Sequence, residues 1–255
     1  MLQKNEITKR LYEYLLKRDI VKKVAEVRVG LGYVAVALDK KCTGLAAVLR
    51  QDLEFHCGVL AKAGTLSGTP ASDLLSYLVN GRNSLERALG LATANAILSA
   101  EAPQEESDAL DLMNLSSRDH VAMVGFFRPL VLRIEQTGAK LTVLEKQENR
   151  ALPHIPVLSF KSRGDIFKSC TVAIITATSI LNNTLETILD DLENPRWVSI
   201  LGPSTPVCRD IFAGMPVTHL GGSVVLDRKK VMQIVSEGGG TPAMRPYLRF
   251  VNLLL

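Results

Sequence analysis

Short apolar runs, each followed at once by small and polar residues, recur through the second half of the chain and constrain its fold most. The runs are Val121 to Gly125, Leu141 to Leu144, Thr171 to Ile175, Val198 to Leu201 and Val217 to Leu220. Helix-length segments separate them, which is typical of parallel strands that are buried on both faces. The carboxyl ends of such strands share one sheet edge, where open α/β sheets bind their ligands. The pattern therefore predicts a binding site before it identifies any chemistry.

The first half of the chain has a different organisation. It contains an amphipathic helix from Asn5 to about Lys23, β-type runs over Val24 to Leu31, Tyr33 to Leu38 and Leu53 to Leu60, and helices capped by Ser72 and Ser84. Strands followed by helices indicate an α+β domain, in contrast to the alternation after residue 120. The acidic stretch from Glu101 to Asp119 contains the best boundary. We therefore predict two domains, 1–104 and 105–255.

Composition narrows the class of protein. Hydrophobic residues make up 47% of the chain and charged residues 22%, and the net charge is +4, as in an ordinary globular protein. The densest basic run, Lys17-Arg18 with Lys22-Lys23, fits a solvated helix face better than a nucleic-acid patch. No apolar stretch reaches the ~18 residues of a membrane span. Four cysteines without CxxC spacing and without a secretory leader predict a reduced, cytoplasmic protein.

Several motifs resemble a known family. In the second half these are Met123-Val124-Gly125-Phe126-Phe127, the Thr176 to Thr184 tip, Gly202-Pro203-Ser204-Thr205-Pro206 and Gly221-Gly222-Ser223-Val224-Val225. Together they resemble the prokaryotic family named for "putative heavy-metal chelation", whose function is largely unknown. The segments Ala63 to Pro70 and Leu89 to Ala96 resemble its companion N-terminal domain. The resemblance covers nearly the whole chain. It implies an α/β protein with an enolase N-terminal-like α+β domain, a Rossmann-like domain and a site in the cleft between them.

Gly125 and Glu145 occupy suggestive places at two strand ends. A Rossmann fold puts a phosphate-binding turn after one strand and a ribose-binding acid about 20 residues later, at the end of the next. The match is partial, because Phe126 and Phe127 stand where a dinucleotide site needs further glycines. Three readings stay open: NAD or FAD binding, a different ligand that uses Glu145, and a solvated strand end.

The next strand end carries a dense polar cluster. Its members are Thr176, Thr178, Asn182, Asn183 and Thr184. Their hydroxyl and amide groups both donate and accept hydrogen bonds, and a helix follows them. We expect Asn183 to cap that helix. A purely structural role in turns and caps is the alternative, but five such residues exceed the needs of one cap, which favours a ligand-facing role.

Two glycine-containing segments complete the candidate site. Prolines stiffen the turn Gly202-Pro203-Ser204-Thr205-Pro206 and leave the hydroxyls of Ser204 and Thr205 available for a preorganised contact. A rigid turn without a ligand is the alternative. Gly221-Gly222, followed by Ser223, allows either close approach of a ligand to the backbone or a tight turn. We expect Glu145, Thr178, Asn182, Ser204 and Thr205 to line one pocket.

The sequence does not identify a metal site. Soft metals require several converging Cys or His ligands. The candidates are scattered without ligand spacing: Cys42, His56, Cys57, His120, His154, Cys170, Cys208 and His219. Adjacent residues on a strand, such as His56 and Cys57, would point to opposite faces. Cys170 is most simply a small core residue.

Three classes of function follow. The first is a protein that binds a small polar or anionic ligand, or a metal ion or metal complex, in the interdomain cleft. The second is an enzyme that acts there on a nucleotide-like or cofactor-like substrate, with Glu145 as acid or base. Arg128, Lys146 and His219 are the other titratable groups expected near this edge. The third is a protein-binding scaffold, which the concentration of glycine and proline at the strand ends disfavours. A homo-oligomer is compatible with each class.

Overall fold

A computed structural model describes residues 1–18, 21–38, 42–53, 58–103, 108–145 and 155–255. Its N-terminal part contains a three-stranded antiparallel sheet in the order β1-β2-β3. The strands are β1 (Glu26–Val29), β2 (Tyr33–Ala37) and β3 (Thr43–Ala47), and the helices are α1 (Glu6–Leu16), α2 (Ala71–Leu75), α3 (Tyr77–Asn80) and α4 (Ser84–Leu98). The expectation of a strand over Leu53 to Leu60 is wrong at its described ends, because neither Leu53 nor 58–60 is extended into a strand; 54–57 lie outside the described residues.

The starts of α2 and α4 correct both predicted caps. Ser72 lies inside α2, whose N-cap residue is Pro70. Asn83, not Ser84, is the N-cap residue of α4, and its Oδ1 accepts a hydrogen bond from the Glu86 backbone N–H at 2.9 Å. The Glu86 carboxylate in turn accepts from the Arg82 backbone N–H at 2.7 Å. These bonds satisfy one donor of the first helical turn, the Glu86 N–H, and the N–H of Arg82, which precedes the N-cap residue.

The C-terminal part contains a seven-stranded sheet in the order β10-β9-β8-β7-β4-β5-β6, in which only β9 and β10 are antiparallel neighbours. The strands are β4 (His120–Val124), β5 (Lys140–Glu145), β6 (Val157–Ser159), β7 (Val172–Thr176), β8 (Trp197–Leu201), β9 (His219–Val225) and β10 (Leu248–Leu254). The helices are α5 (Ala109–Met113), α6 (Arg128–Gln136), α7 (Arg163–Ser169), α8 (Thr178–Leu181), α9 (Leu185–Asp191), α10 (Arg228–Ser236) and α11 (Thr241–Met244). The predicted α/β class, with a small α+β unit before a mostly parallel sheet, is confirmed.

Strand β9 differs from the prediction. The sequence suggested a strand that ends at Leu220, but β9 continues through Gly221-Gly222-Ser223. A Cβ on Gly221 would lie 2.5 Å from Leu201 Cδ2, so the absent side chain allows this close strand packing. The pairing of β8 with β9 ends at Leu201 and Gly221, and beyond that point β9 is paired with β10 alone. Gly222 and Ser223 therefore lie at the level of the carboxyl edge after all.

The two parts share a hydrophobic core. One cluster of buried side chains contains Ile7, Leu74 and Leu89 from the first half together with Ile175 and Phe212 from the second. Helix α4 lies close to β3, since a Cβ on Gly44 would be 2.1 Å from the Ala92 carbonyl oxygen. The division of the chain at residue 104 stays a prediction.

None of the described helices combines the length and the apolar character that crossing a membrane requires.

Candidate functional site

The ends of β4 and β5 are joined by a side-chain hydrogen bond. Glu145, the last residue of β5, accepts the Phe126 backbone N–H on Oε1 at 3.0 Å. Phe126 belongs to the turn that connects β4 to α6, and Pro129 stands in the first turn of that helix. The Glu145 carboxylate therefore fixes the turn after β4 and remains half-buried at the sheet edge.

The end of β7 packs directly against the same turn. Gly125 has φ 88°, and a Cβ at this position would lie 2.9 Å from Thr176 Cγ2. The hydroxyls of Thr176 and Thr178 are 3.0 Å apart and hydrogen-bonded to each other. Since β5, β4 and β7 are neighbours, their ends bring a carboxylate, a backbone turn and two hydroxyls side by side.

The two aromatic residues of the turn pack partly against the hydrophobic core. Phe126 and Phe127 are half-buried and pack against the cluster that contains Val131, Val143 and Ile174. Sequence reasoning assigned them only to the site, because it did not show which face of the sheet they would cover.

The polar residues after α8 form a local turn. Asn183 has φ 56°, in the left-handed region that Asn tolerates, and Thr184 is the N-cap residue of α9 without a side-chain cap bond. The Thr184 hydroxyl donates instead to Asn182 Oδ1 at 2.6 Å. The expectation that Asn183 caps the helix is therefore wrong. Arg87 of α4 donates from Nε to the Leu181 carbonyl oxygen at 3.2 Å and so brings the N-terminal part close to this turn.

The turn after β8 is held by the N-terminal part of the chain. Ser204 is 2% exposed, and its hydroxyl accepts the Ala47 backbone N–H at 2.8 Å. Asn95 of α4 donates from Nδ2 to the carbonyl oxygens of Leu45 at 2.9 Å and Ser204 at 3.1 Å. Thr205 is 3% exposed, and its hydroxyl is 3.5 Å from the Ile200 carbonyl oxygen. Both hydroxyls thus make contacts within the protein.

The extended end of β9 lies beside that turn. A Cβ on Gly222 would be 3.1 Å from the Thr205 carbonyl oxygen and 2.4 Å from Val207 Cγ2. The Ser223 hydroxyl is buried and has no hydrogen-bond partner within the described ranges. The candidate residues therefore form two groups along one edge. The first contains Gly125, Phe126, Phe127, Glu145, Thr176 and Thr178, and the second contains Gly202, Pro203, Ser204, Thr205, Gly222 and Ser223.

His219 lies at the opposite edge of the sheet from these groups. It is the first residue of β9 and is fully buried. Its Nδ1 is 2.5 Å from Ser199 Oγ and its Nε2 is 3.0 Å from Asn252 Oδ1. Burial lowers the pKa of His219 to about 4. The expectation that His219 lies near the carboxyl edge is wrong, because β9 begins at His219, which therefore lies at the amino end of the strand. Lys146 lies outside the described residues.

The described cysteines do not form a metal site. Cys42, Cys170 and Cys208 are each buried, and burial raises the pKa of Cys170 to about 11, which disfavours its thiolate. Cys42 Sγ lies 3.0 Å from Lys22 Nζ. Among the residues that the structure describes, no three His, Cys, Asp or Glu side chains are grouped to hold a metal ion. His56, Cys57 and His154 lie outside those residues.

Two cavities of the described part lie away from the candidate edge. One, of 410 Å³, runs between β1 and the loop that contains Leu60, Gly64 and Ser67. The other, of 470 Å³, lies between the β1–β2 turn and the end of α10.

Comparison with known proteins gives concordant matches. A family model described as "Putative heavy-metal chelation" matches residues 108–254, and a second model with the same description matches residues 12–98. An uncharacterized protein of Methanocaldococcus jannaschii is 24% identical over 237 residues, which cover 89% of this chain and 88% of that protein.

Two solved structures share the fold. A protein of unknown function from the DUF364 family of Pyrococcus horikoshii superposes with a TM-score of 0.81 and 19% identity, over 98% of this chain and 100% of that one. A DUF364 protein of Desulfitobacterium hafniense DCB-2 superposes with a TM-score of 0.78 and 20% identity, over 97% of this chain and 98% of that one. At these identities the likeness shows the fold alone.

Proposed function

We propose that this chain, which belongs to the family described as "Putative heavy-metal chelation", binds a small polar organic ligand at the carboxyl edge of its seven-stranded sheet. The contact between Glu145 and the turn after β4 carries this proposal. It puts a carboxylate beside the Thr176 and Thr178 hydroxyls at the ends of three neighbouring strands. A ligand that donates hydrogen bonds would find acceptors at each of them.

Direct chelation of a soft metal does not fit the described residues. Such a site needs several thiolate or imidazole ligands that converge. All three described cysteines are buried, and none of them belongs to a group of three or more possible metal ligands among the described residues. Burial also raises the Cys170 pKa. We therefore propose that a metal, where one is bound, is coordinated by the organic ligand and arrives as a complex.

The same contact disfavours a dinucleotide. A Rossmann turn holds the pyrophosphate on backbone N–H groups at the start of the helix. Here the Phe126 N–H already donates to Glu145, and Pro129 has no N–H to offer. A carboxylate at this position would also repel a phosphate. These features favour a neutral or cationic ligand over an anionic one.

Native mass spectrometry of protein purified without added metal tests the proposal. We expect a stoichiometric organic molecule on the wild-type chain and at least about tenfold lower occupancy in Glu145→Gln, if the carboxylate contributes the ~1.5–3 kcal/mol of a charged hydrogen bond. Glu135→Gln, an exposed change on α6, is the matched control and should retain the molecule.

Three outcomes discriminate among the functions. Equal occupancy in wild type and Glu145→Gln would contradict the proposed site. Retention of a bare metal without an organic molecule would favour direct chelation. Conversion of the bound molecule by the wild type but not by Glu145→Gln would favour the enzyme alternative, with Glu145 as acid or base.

A further inference from the structure

The 470 Å³ cavity lies between the two halves of the chain and away from the carboxyl edge. Its lining comes from the β1–β2 turn, the segment after β3, the start of α4 and the end of α10: Val29, Gly30, Leu31, Val48, Arg50, Leu53, Leu85, Ser236, Glu237 and Gly238. Its volume is within the range of small-molecule sites, ~300–1,000 Å³.

The walls of this cavity are fixed by close backbone packing. A Cβ on Gly30 would lie 1.9 Å from the Val235 carbonyl oxygen, so the β1–β2 turn can touch α10 only because residue 30 is glycine. Gly238, with φ 78°, ends α10 and faces Leu31, whose Cδ1 would be 3.2 Å from an added Cβ. The cavity is therefore bounded by two elements that are held against each other.

Much of the lining is apolar yet open to solvent. Val29 is 44% exposed and Leu31 is 64% exposed, although both belong to this wall. Covering such surface removes apolar area from water, which is favourable. A ligand with an apolar body would be stabilised in this way.

Two residues of opposite charge, Arg50 and Glu237, belong to the same lining. Arg50 is exposed and forms no ion pair with any residue in the described ranges. Glu237 accepts the Gln233 side-chain amide on Oε1 at 2.9 Å, which leaves lone pairs of its carboxylate for another donor. A guanidinium binds a carboxylate in a bidentate manner, and a carboxylate binds an ammonium group.

We propose that this cavity binds a zwitterion with an apolar body, namely an aliphatic or aromatic α-amino acid. Its carboxylate contacts Arg50, its ammonium group contacts Glu237, and its side chain covers Leu31 and Leu53. A fatty acid would leave Glu237 beside an apolar chain, and an amine would leave Arg50 unpaired. The amino acid matches both charges and the apolar wall, and this site is separate from the one at the sheet edge.

Isothermal titration calorimetry on the full chain tests this site with L-leucine and L-phenylalanine as probes. Isocaproate and isoamylamine, which resemble leucine without its ammonium and carboxylate group respectively, serve as matched ligands. We expect each to bind at least about tenfold more weakly than leucine, because one charged hydrogen bond is lost. Arg50→Gln and Glu237→Gln should each weaken leucine binding by a similar factor.

The controls are Arg118→Gln and Glu193→Gln, two exposed changes that are absent from the cavity lining. They should bind leucine as the wild type does. Absence of saturable binding for both amino acids would overturn the proposal. Isocaproate binding as tight as leucine binding would also overturn it, because Glu237 would then have no role. Unchanged leucine affinity in Arg50→Gln and Glu237→Gln would place the amino acid elsewhere and overturn it too.

Discussion

Asn95 and Ser204 join the two halves of the chain through a hydrogen bond of 3.1 Å from the Asn95 side-chain amide to the Ser204 carbonyl oxygen. The Ser204 hydroxyl makes a second hydrogen bond between the two halves, because it accepts the Ala47 backbone N–H. The turn after β8, at the edge where we expect a ligand, is thus held in place by residues of the N-terminal part. Its conformation therefore depends on the packing of α4 and β3 as well as on its own prolines.

Replacement of Ser204 by alanine should lower the free energy of unfolding by about 1–3 kcal/mol, because the half-buried Ala47 N–H would lose its acceptor. Urea unfolding measures this change. Ser223→Ala is the matched control, since the Ser223 hydroxyl has no partner among the described residues and its removal should be nearly neutral. Equal stability of wild type and Ser204→Ala would contradict the structural role.

A substitution at Gly125 tests the close packing between the ends of β4 and β7. Gly125→Ala adds a Cβ 2.9 Å from Thr176 Cγ2 at a left-handed backbone position. Gly214 has a similar φ of 76° but no atom within 4 Å of an added Cβ, so Gly214→Ala reports backbone strain alone. We expect ~1–2 kcal/mol for that strain and a larger loss of stability for Gly125→Ala.

Thermal or urea unfolding of both variants gives the difference. Thr176→Ser in the Gly125→Ala background should recover part of the loss, because it removes the Cγ2 that meets the new methyl group. If the two alanine variants lose equal stability, the close approach of Gly125 to Thr176 is not limiting.

We expect the free energy of unfolding to depend on pH because of His219. Burial lowers its pKa from 6.5 to about 4 in the folded chain. Between these values the unfolded chain binds a proton that the folded chain does not. The contribution of neutral His219 is therefore full above pH 6.5 and is lost as pH falls toward 4, by about 3 kcal/mol.

Urea unfolding at several pH values measures this effect in wild type and His219→Gln. The variant should show a flatter profile between pH 6.5 and 4. His120, whose pKa is also lowered by burial, remains in both proteins and does not alter their difference. Parallel profiles would contradict the assignment to His219.

The cysteines should not matter for metal content. Replacement of Cys42, Cys57, Cys170 and Cys208, by Ser or at buried positions by Ala, should leave bound zinc or copper unchanged, because the three described thiols are buried apart from any metal-ligand group. Elemental analysis of the purified proteins measures the content. A stoichiometric loss in a variant that remains folded would show that thiolates coordinate the metal.

Local patterns predicted much of the sheet. The apolar runs Leu141 to Leu144 and Val198 to Leu201 lie within β5 and β8. The runs Val121 to Gly125 and Thr171 to Ile175 match β4 and β7 except for one terminal residue each. The prediction failed where a contact distant in sequence decides the outcome. Strand β9 passes through two glycines because neighbouring side chains occupy the space, and the final strand β10 was not anticipated at all.

The candidate site was also predicted only where local sequence decides the position of a residue. Polar residues at strand ends identified Glu145, Thr176 and Thr178, whose positions follow from the parallel topology. The sequence did not reveal that Ser204 would contact Ala47, because that bond joins residues far apart along the chain. Without the N-terminal part, the Ser204 hydroxyl would be available to a ligand.

Helix α4 has a consequence for the cooperativity of the molecule. Thirteen of its 15 residues are buried, and it contacts β3 on one side and the turns after β7 and β8 on another. Such a helix cannot be exposed to water without separating the two halves. We therefore expect the N-terminal part to open only with loss of the shared core, and we expect one cooperative unfolding transition despite the two sheets.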